Sequence, residues 1–288
     1  MASVREIRSR VAGIKKTQKI TSAMRMISAA RLARAQQAAE ASRPFGRKLA
    51  DVFASVASGL DADLHPLLAA RPKKKQLDVL LVTSDRGLCG AYNTNLIKHA
   101  GALLAQRQAE FESISVIAAG KRGRDFCRRR RLQMPQSWIG LASPTADQAR
   151  EIAHYLIDRY LAGESDEVVI VAARFVSVLT QTPSHVTILP IMEFQREDAP
   201  EPTALPYEIE PDPESLLARL LPNMVEFAVL RALLENAASE HAARMTAMEN
   251  ATENTKELIV SLTLDANKAR QTQITTELTE IVAGAEAL

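Results

Sequence analysis

From Asn223 to Ala283 the chain runs for 61 residues without a proline or a glycine. Nothing in that span breaks a helix, and at about 1.5 Å per residue it predicts a rod on the order of 90 Å long. A helix of that length outruns the width of a small domain, so much of it needs a partner beyond any single compact core. Alternating steps of three and four mark the face it offers, through Leu234, Ala238, His241, Met245, Met248, Thr252, Thr255, Ile259, Leu262, Ala266 and Ala269. The seam is narrow and carries alanine and threonine where a stable zipper carries leucine. The plain alternative is one helix of an ordinary bundle, but only one other segment is long enough to lie beside it.

That segment is the N-terminus. From Ser3 to about Ser58 the pattern is helical, with Val4, Ile7, Val11 and Ile14 on one stripe and Ile20, Met24 and Ile27 expected to continue it. Gly13 lies within the stripe, and "RPFG" at 43–46 predicts a bend or an interruption. Charge supports the pairing. Residues 1–50 hold twelve Lys/Arg against two acids, a net +10, whereas residues 223–288 hold five against ten, a net −5. Exposed ion pairs contribute under about 1 kcal/mol each, so the charge selects a partner more than it holds one. A basic N-terminus also suggests nucleic acid, but its first 44 residues contain no aromatic to stack on a base, and its apolar positions call for a helix. No nucleic-acid partner is expected. It is Arg- and Ser-rich like a transit peptide, yet the stripe continues past residue 27, which marks it as retained structure.

Between the two helices the grammar changes. "HPLLAARPKKK" at 65–75 reads as a linker, and from Leu77 to about Met192 apolar runs alternate with helical patterns, as in an open α/β sheet. Strands are expected at "LDVLLVTS", "ISVIAAG", "DEVVIVAARFV" and "HVTILPIM", with helices near Thr94–Ala109 and Thr145–Leu161 and a basic helix between them; "LTQTPSH" is expected to close a hairpin. An extended connector follows, with five prolines and seven acids between Glu197 and Glu214. The expected parts are therefore 1–58 as the N-terminal coiled-coil helix, 77–192 as the α/β domain and 210–288 as the C-terminal helix paired with the first. The fold class is mixed α+β and α/β: a long antiparallel coiled coil plus an open, Rossmann-like α/β domain.

One stretch of the middle region raises a question of chemistry. "SDRGLCGAYNTN" at 84–95 follows a strand and precedes a helix, the setting in which many proteins cradle a phosphate. The spacing fails the P-loop, since Gly87 and Gly90 are three apart with Ala91 and Tyr92 next, and the dinucleotide fingerprint fails too. "AAGKRG" at 118–123 puts Arg122 where Ser or Thr is required. The two cysteines, Cys89 and Cys127, are in no metal-ligand spacing, and "SEHAAR" around His241 lacks a second histidine. No catalytic residue, metal ligand or cofactor site is assigned. No apolar run approaches the ~20 residues of a membrane span.

The combination of pieces carries a resemblance. "REIRSRVAGIKKTQKITSAMRMISAARL", "SDRGLCGAYNTN", "ENAASEHAARMTAMENATEN" and "NKARQTQITTELTEIV", in that order across nearly the whole chain, resemble the γ subunit of F-type ATP synthase. The resemblance implies a non-catalytic central-stalk rotor. Its two terminal helices would lie as an antiparallel coiled coil inside a ring of α and β subunits, with the ε subunit and the c-ring of the membrane sector as further partners. Ion flow would turn the shaft, and its asymmetric faces would drive each β site through different affinities. The "DRGLCG" turn with Cys89 then looks like the loop near the lever of a β subunit, a protein contact and not a phosphate cradle. Arg270 and Gln271 match the pair that bonds a β loop near the top of the shaft, with Thr275 and Glu277 in the same final turns. Met24 and Arg244 match positions facing the β lever, and Tyr207 and Glu208 match the foot on the rotor. Arg25 and Ser28 depart from the Glu or Lys and the Ala that many members carry. No Cys-bearing insert of the chloroplast kind is present, so thiol regulation is not expected. The absence of a separate presequence points to a bacterium, and hence to a peripheral protein on the cytoplasmic face of the inner membrane. The alternative from the residues alone is a phosphate- or nucleotide-binding α/β enzyme with a helical dimerisation arm.

Overall fold

The computed structural model describes residues 3–57, 65–71, 74–191 and 212–286. Along the chain lie α1 (Val4–Ala57), β1 (Gln76–Val82), α2 (Tyr92–Arg107), β2 (Ser113–Ala119), α3 (Lys121–Arg130), β3 (Ser137–Trp138), α4 (Ala146–Leu161), β4 (Glu167–Phe175), β5 (Gln181–Leu189) and α5 (Pro213–Glu286). Tyr207, Glu208 and the proline-rich acidic connector lie outside the described residues. Local chemistry sets the long helices' starts. Ser3 and Glu6 form a capping box, with the Ser3 N–H donating to Glu6 Oε2 at 3.0 Å and the Glu6 N–H to Ser3 Oγ at 3.3 Å. Asp212 caps α5 by accepting the Ser215 N–H at 2.8 Å, and Pro213 takes the first helical position, where no donor is missed. The backbone N–H of Ser215 on its carboxylate holds the Asp212 pKa below its ordinary value.

The structure divides into two units, Met1–Ala29 with Arg244–Leu288, and Ala30–Ala243. In the first, two helical segments run antiparallel. Thr21 meets Thr252, and Arg25 meets Glu249, so numbers rise on one helix as they fall on the other. On α5 the expected seam from Met245 to Ala269 is buried or half-buried throughout. On α1 the seam begins as expected with Ile7, Val11 and Ile14, then continues through Gln18, Thr21 and Ser28. Ile20 and Ile27 are instead 60% and 53% exposed, and Met24 is half-buried. The correction has a physical reason. The heptad from Ile7 falls on 14, 21 and 28, one position beyond Ile20 and Ile27, and a one-residue offset turns a side chain by about 100°. The register also leaves α5 longer than its partner. It brings Ile7 to the level of Ala266, both 8% exposed, so α1 ends near Ala269, and residues 270–283 are exposed on every side.

In the second unit five strands form one sheet in the order β3-β2-β1-β4-β5. β1 pairs in parallel with β2 and β4, β2 in parallel with β3, and β4 antiparallel with β5. Parallel neighbours need helical crossovers, and helices on both faces leave the central strand no solvent side, so β1 is buried at every position after Gln76. α2 and α3 cover one face around Leu77, Val79 and Leu81, with Leu103 and Cys127. α4 covers the other, joined by Leu49 and Val56 of α1 and by Leu217, Leu221 and Phe227 of α5. Fully burying side chains such as Leu217 and Leu221 contributes roughly 1.5–3 kcal/mol each, so the start of α5 belongs to this core.

Three local expectations change. Of the bend or interruption expected at 43–46, the interruption is absent, since α1 continues through Pro44. Two residues later Gly46 lies against the Phe227 ring, and a Cβ there would sit 2.2 Å from two ring carbons, so the glycine serves a close helix approach. Residues 65–71 are tied into the core: Leu67 is buried, the Ile191 N–H donates to the Leu67 carbonyl at 2.8 Å, and the Tyr160 hydroxyl donates to the Ala69 carbonyl at 2.9 Å. The hairpin between β4 and β5 turns at 176–180, so Gln181–His185 is strand and not loop.

Candidate functional site

The glycine-rich turn after β1 lies at the strand ends where α/β proteins bind phosphates, and its Asp85 fills the neighbouring anion site at the start of α3. The Asp85 carboxylate accepts the N–H of Lys121, the first residue of α3, at 2.9 Å through Oδ1. Its Oδ2 accepts those of Gly140 at 2.9 Å and Leu141 at 3.0 Å. The next donors of α3 are also taken: the Arg122 N–H by the Ser84 carbonyl at 3.1 Å, and the Gly123 N–H by Thr83 Oγ1 at 2.8 Å. Gly120 makes this junction possible with φ +115°, since a Cβ would meet the Thr83 carbonyl oxygen at 2.2 Å. A carboxylate on three backbone N–H groups satisfies the donors that a phosphate would need.

The rest of the turn is built to hold a shape. Asn93 Oδ1 accepts the Ser84 N–H at 3.1 Å, and the Tyr92 hydroxyl donates to Asn236 Oδ1 of α5 at 2.5 Å. Cys89 is 2% exposed, with its sulfur 3.1 Å from Asn93 Nδ2, so the cysteine faces inward. What the turn presents outward is Arg86 and Leu88. Leu88 has φ +63° and is 63% exposed, an apolar side chain held in solvent by a backbone conformation that leucine rarely adopts.

Apart from Tyr207 and Glu208, which lie outside the described residues, the other residues singled out from sequence fall in the helical unit. Met24 is half-buried, and Ser28 is buried, its hydroxyl donating to the Met24 carbonyl at 2.8 Å. Arg25 pairs with Glu249 at 3.4 Å, and Arg244 is 6% exposed. A groove opens between the helices, lined by Lys19, Ala23, Met26, Ile27, Thr252 and Lys256. Ile20 and Ile27, expected in the seam, share an exposed face of α1, and Met26 is exposed as well. The signal for Ile20 and Ile27 is the one-residue offset from the heptad.

Arg270, Gln271, Thr275 and Glu277 all lie on the exposed overhang of α5. Their bonds there are local: Thr275 Oγ1 donates to the Gln271 carbonyl at 2.9 Å, and Gln273 Nε2 to Glu277 Oε1 at 2.9 Å. The same segment exposes Ile274, Leu278, Ile281 and Val282 by 49%, 58%, 67% and 55%. Steps of four, three and one put these four on one face, a face that sequence reasoning did not single out although its spacing is helical. Among the described residues no group of three or more His, Cys, Asp or Glu could hold a metal ion, and no helix is long and apolar enough to cross a membrane.

The comparisons with known proteins agree across the chain. A family model described as ATP synthase matches residues 3–288. An ATP synthase gamma chain from Desulforamulus reducens is 45% identical over 100% of both chains, and one from Desulfitobacterium hafniense is 44% identical over 100% of both. Among solved structures, a chain of the Euglena gracilis mitochondrial ATP synthase rotor in rotational state 1 aligns with a TM-score of 0.62 at 22% identity, covering 94% of this chain and 98% of that one. A chain from the OSCP/F1/c-ring structure of the same enzyme in rotational state 3 aligns with a TM-score of 0.64 at 23% identity, covering 99% and 94%. At these identities the structural likeness speaks for the fold.

Proposed function

The chain belongs to the ATP synthase γ-chain family, and from that premise we propose that it is a non-catalytic rotor that works through protein contacts alone. The shaft comprises residues 1–58 and 210–288, and the lateral domain comprises 77–192. Its partners are the α and β subunits of the catalytic ring, the ε subunit and the c-ring, and it sits as a peripheral subunit on the cytoplasmic face of a bacterial inner membrane. Ion-driven rotation of the c-ring turns the shaft and changes the affinity of each β site in turn.

The observation that carries this reading is the overhang of α5. A single helix with 270–283 exposed on all sides, four apolar residues on one face and Arg270 and Gln271 at its root needs a surrounding surface. A ring of subunits supplies one. Arg270, Gln271, Thr275 and Glu277 are then the polar contacts to β, and Ile274, Leu278 and Ile281 the apolar bearing. Met24 and Arg244 flank the lever contact, with Met26 and Ile27 offering the exposed apolar surface there. The 84–91 turn meets the lower part of β through Leu88 and Arg86, with Cys89 as internal support. Tyr207 and Glu208 form the foot on the rotor.

The nucleotide-binding alternative loses the anion site at the start of α3 to Asp85, whose carboxylate holds three backbone N–H donors there. Co-expression with α and β, followed by purification and an ATPase assay with and without this chain, tests the reading. A stable complex whose turnover depends on the chain is expected. An isolated chain that binds ATP saturably, or fails to enter an α/β assembly, would overturn it.

A further inference from the structure

His99 on α2 and His185 on β5 meet on the face of the sheet that α2 covers. Nε2 of His99 lies 3.0 Å from Nδ1 of His185, with ring centroids 5.2 Å apart and planes inclined at 38°. Separate, well-anchored elements hold the two rings. His99 sits among the buried Leu96, Ala100 and Leu103 of α2, and His185 is paired in the ladder opposite Val171 of β4. Neither histidine belongs to the contact surfaces described above. A neutral imidazole offers one lone pair, on the ring nitrogen that carries no proton.

A hydrogen bond between two imidazole nitrogens places a proton where a metal ion sits between two ligands. We propose that His99 and His185 form a two-imidazole site for a divalent transition-metal ion of the zinc, nickel or copper class, with water in the remaining positions. Metal–nitrogen bonds of about 2.0–2.1 Å at a tetrahedral angle put the two nitrogens about 3.3 Å apart, so the rings need to open by only a few tenths of an ångström. On binding, the ring that carries the bridging proton moves it to its other nitrogen through solvent, so both rings stay neutral and each turns one lone pair to the ion. The chain's other histidines are less suited. His154 bonds Glu226 at 2.9 Å beside the cationic Arg150, His65 accepts the Leu67 N–H at 3.2 Å, and His241 is 2% exposed. A bound ion would clasp α2 to the edge strand β5 and stabilise the folded chain in proportion to its occupancy.

The test uses the full chain, freed of metal with a chelator and then titrated near neutral pH with zinc, nickel or copper salts by calorimetry, with copper's electron-spin resonance reporting nitrogen ligands. The expected result is one ion per chain, a two-nitrogen signature, and a rise in melting temperature with metal. His99→Ala and His185→Ala should each weaken binding by roughly tenfold or more, because either change turns a chelate into a single ligand. His154→Ala should leave it unchanged. His185→Gln, on the exposed strand, keeps the test decisive if His99→Ala folds poorly. No saturable binding at millimolar metal, or binding that survives loss of both imidazoles, overturns the proposal.

Discussion

Thr21 and Thr252 face each other across the two antiparallel helices with hydroxyl oxygens 2.8 Å apart. Each oxygen also lies within bonding distance of its own helix, Thr21 of the Gln18 carbonyl at 3.1 Å and Thr252 of the Met248 carbonyl at 2.7 Å, so the two hydroxyl protons supply the bridge and one local bond. A hydroxyl accepts as well as donates, so one bridge between helices coexists with a local bond, and small side chains let the backbones come close. Replacing both by valine keeps shape and removes the bridge. A double-mutant cycle should give a coupling of about 0.5–1.5 kcal/mol, read from urea unfolding. Additive single changes would mean that the bridge contributes nothing to pairing.

The seam of α5 is legible in the sequence because its three-and-four steps persist for so long that no other period competes. The seam of α1 is legible only as far as Ile14. Beyond it, the buried positions are Thr21 and Ser28, which carry no hydrophobic signal, while Ile20 and Ile27 beside them carry a strong one and point outward. The sheet's existence is legible from its alternation of apolar runs and helical patterns. The two-residue β3 is not, since Ser137 and Trp138 carry too short a pattern to see. The role of Asp85 is hidden for a different reason: its donors come from 36, 55 and 56 residues away, and no local pattern announces them.

That role can be measured. Asp85→Ala leaves three backbone N–H groups to water and leaves the Arg122 N–H on the Ser84 carbonyl as the remaining backbone tie between the 84–91 turn and α3. The loss should be roughly 2–4 kcal/mol, with Asp85→Asn intermediate because an amide keeps one acceptor oxygen but no charge. Thermal or urea unfolding checks the order. Equal stability of all three proteins would show that the carboxylate is not what holds the turn.

Gly46 and Phe227 make a prediction about packing. Gly46→Ala brings a methyl group into the Phe227 ring, which is itself 6% exposed and has little room to move. The cost should be about 1–3 kcal/mol or more. Adding Phe227→Leu should recover part of it, so the two changes together should cost less than their sum. A fully additive double variant would place the strain elsewhere.

Cys127 is fully buried, and that burial pushes its thiol up to about 11 from an ordinary value of 9.0. The sign follows directly. Below pH 9 both folded and unfolded thiols are neutral, and the stabilisation is fully present; as pH rises from 9 to 11 the unfolded thiol ionises first, and the stabilisation is lost. The full span is worth up to roughly 2–3 kcal/mol. Burial raises Tyr155 and Tyr160 as well, so they add to the decline further into alkali. Unfolding measured across this range should show the loss, and Cys127→Ala should flatten its first part. A native chain whose Cys127 alkylates quickly at mildly alkaline pH would contradict the burial argument.

The last prediction separates the shaft's integrity from its coupling. Arg270 and Gln271 lie on the overhang, where no partner helix covers them, so replacing both by alanine should leave the isolated chain's stability almost unchanged. In the assembled complex the same change should slow ATP turnover. A charge-assisted hydrogen bond contributes about 1.5–3 kcal/mol and a neutral one about half that. The effect reaches about a hundredfold if the whole loss falls on one rate-limiting step. Ile259→Asp should behave in the opposite way. Ile259 is half-buried in the seam, and a carboxylate there lacks a partner, so the helical unit itself should weaken before any question of coupling arises. Measuring unfolding, assembly and ATPase rate for both variants distinguishes the two roles. If the Arg270→Ala/Gln271→Ala chain assembles normally and supports turnover at the unmodified rate, these two residues do not carry the contact to β, and the apolar face of Ile274, Leu278 and Ile281 becomes the part of the overhang to test next.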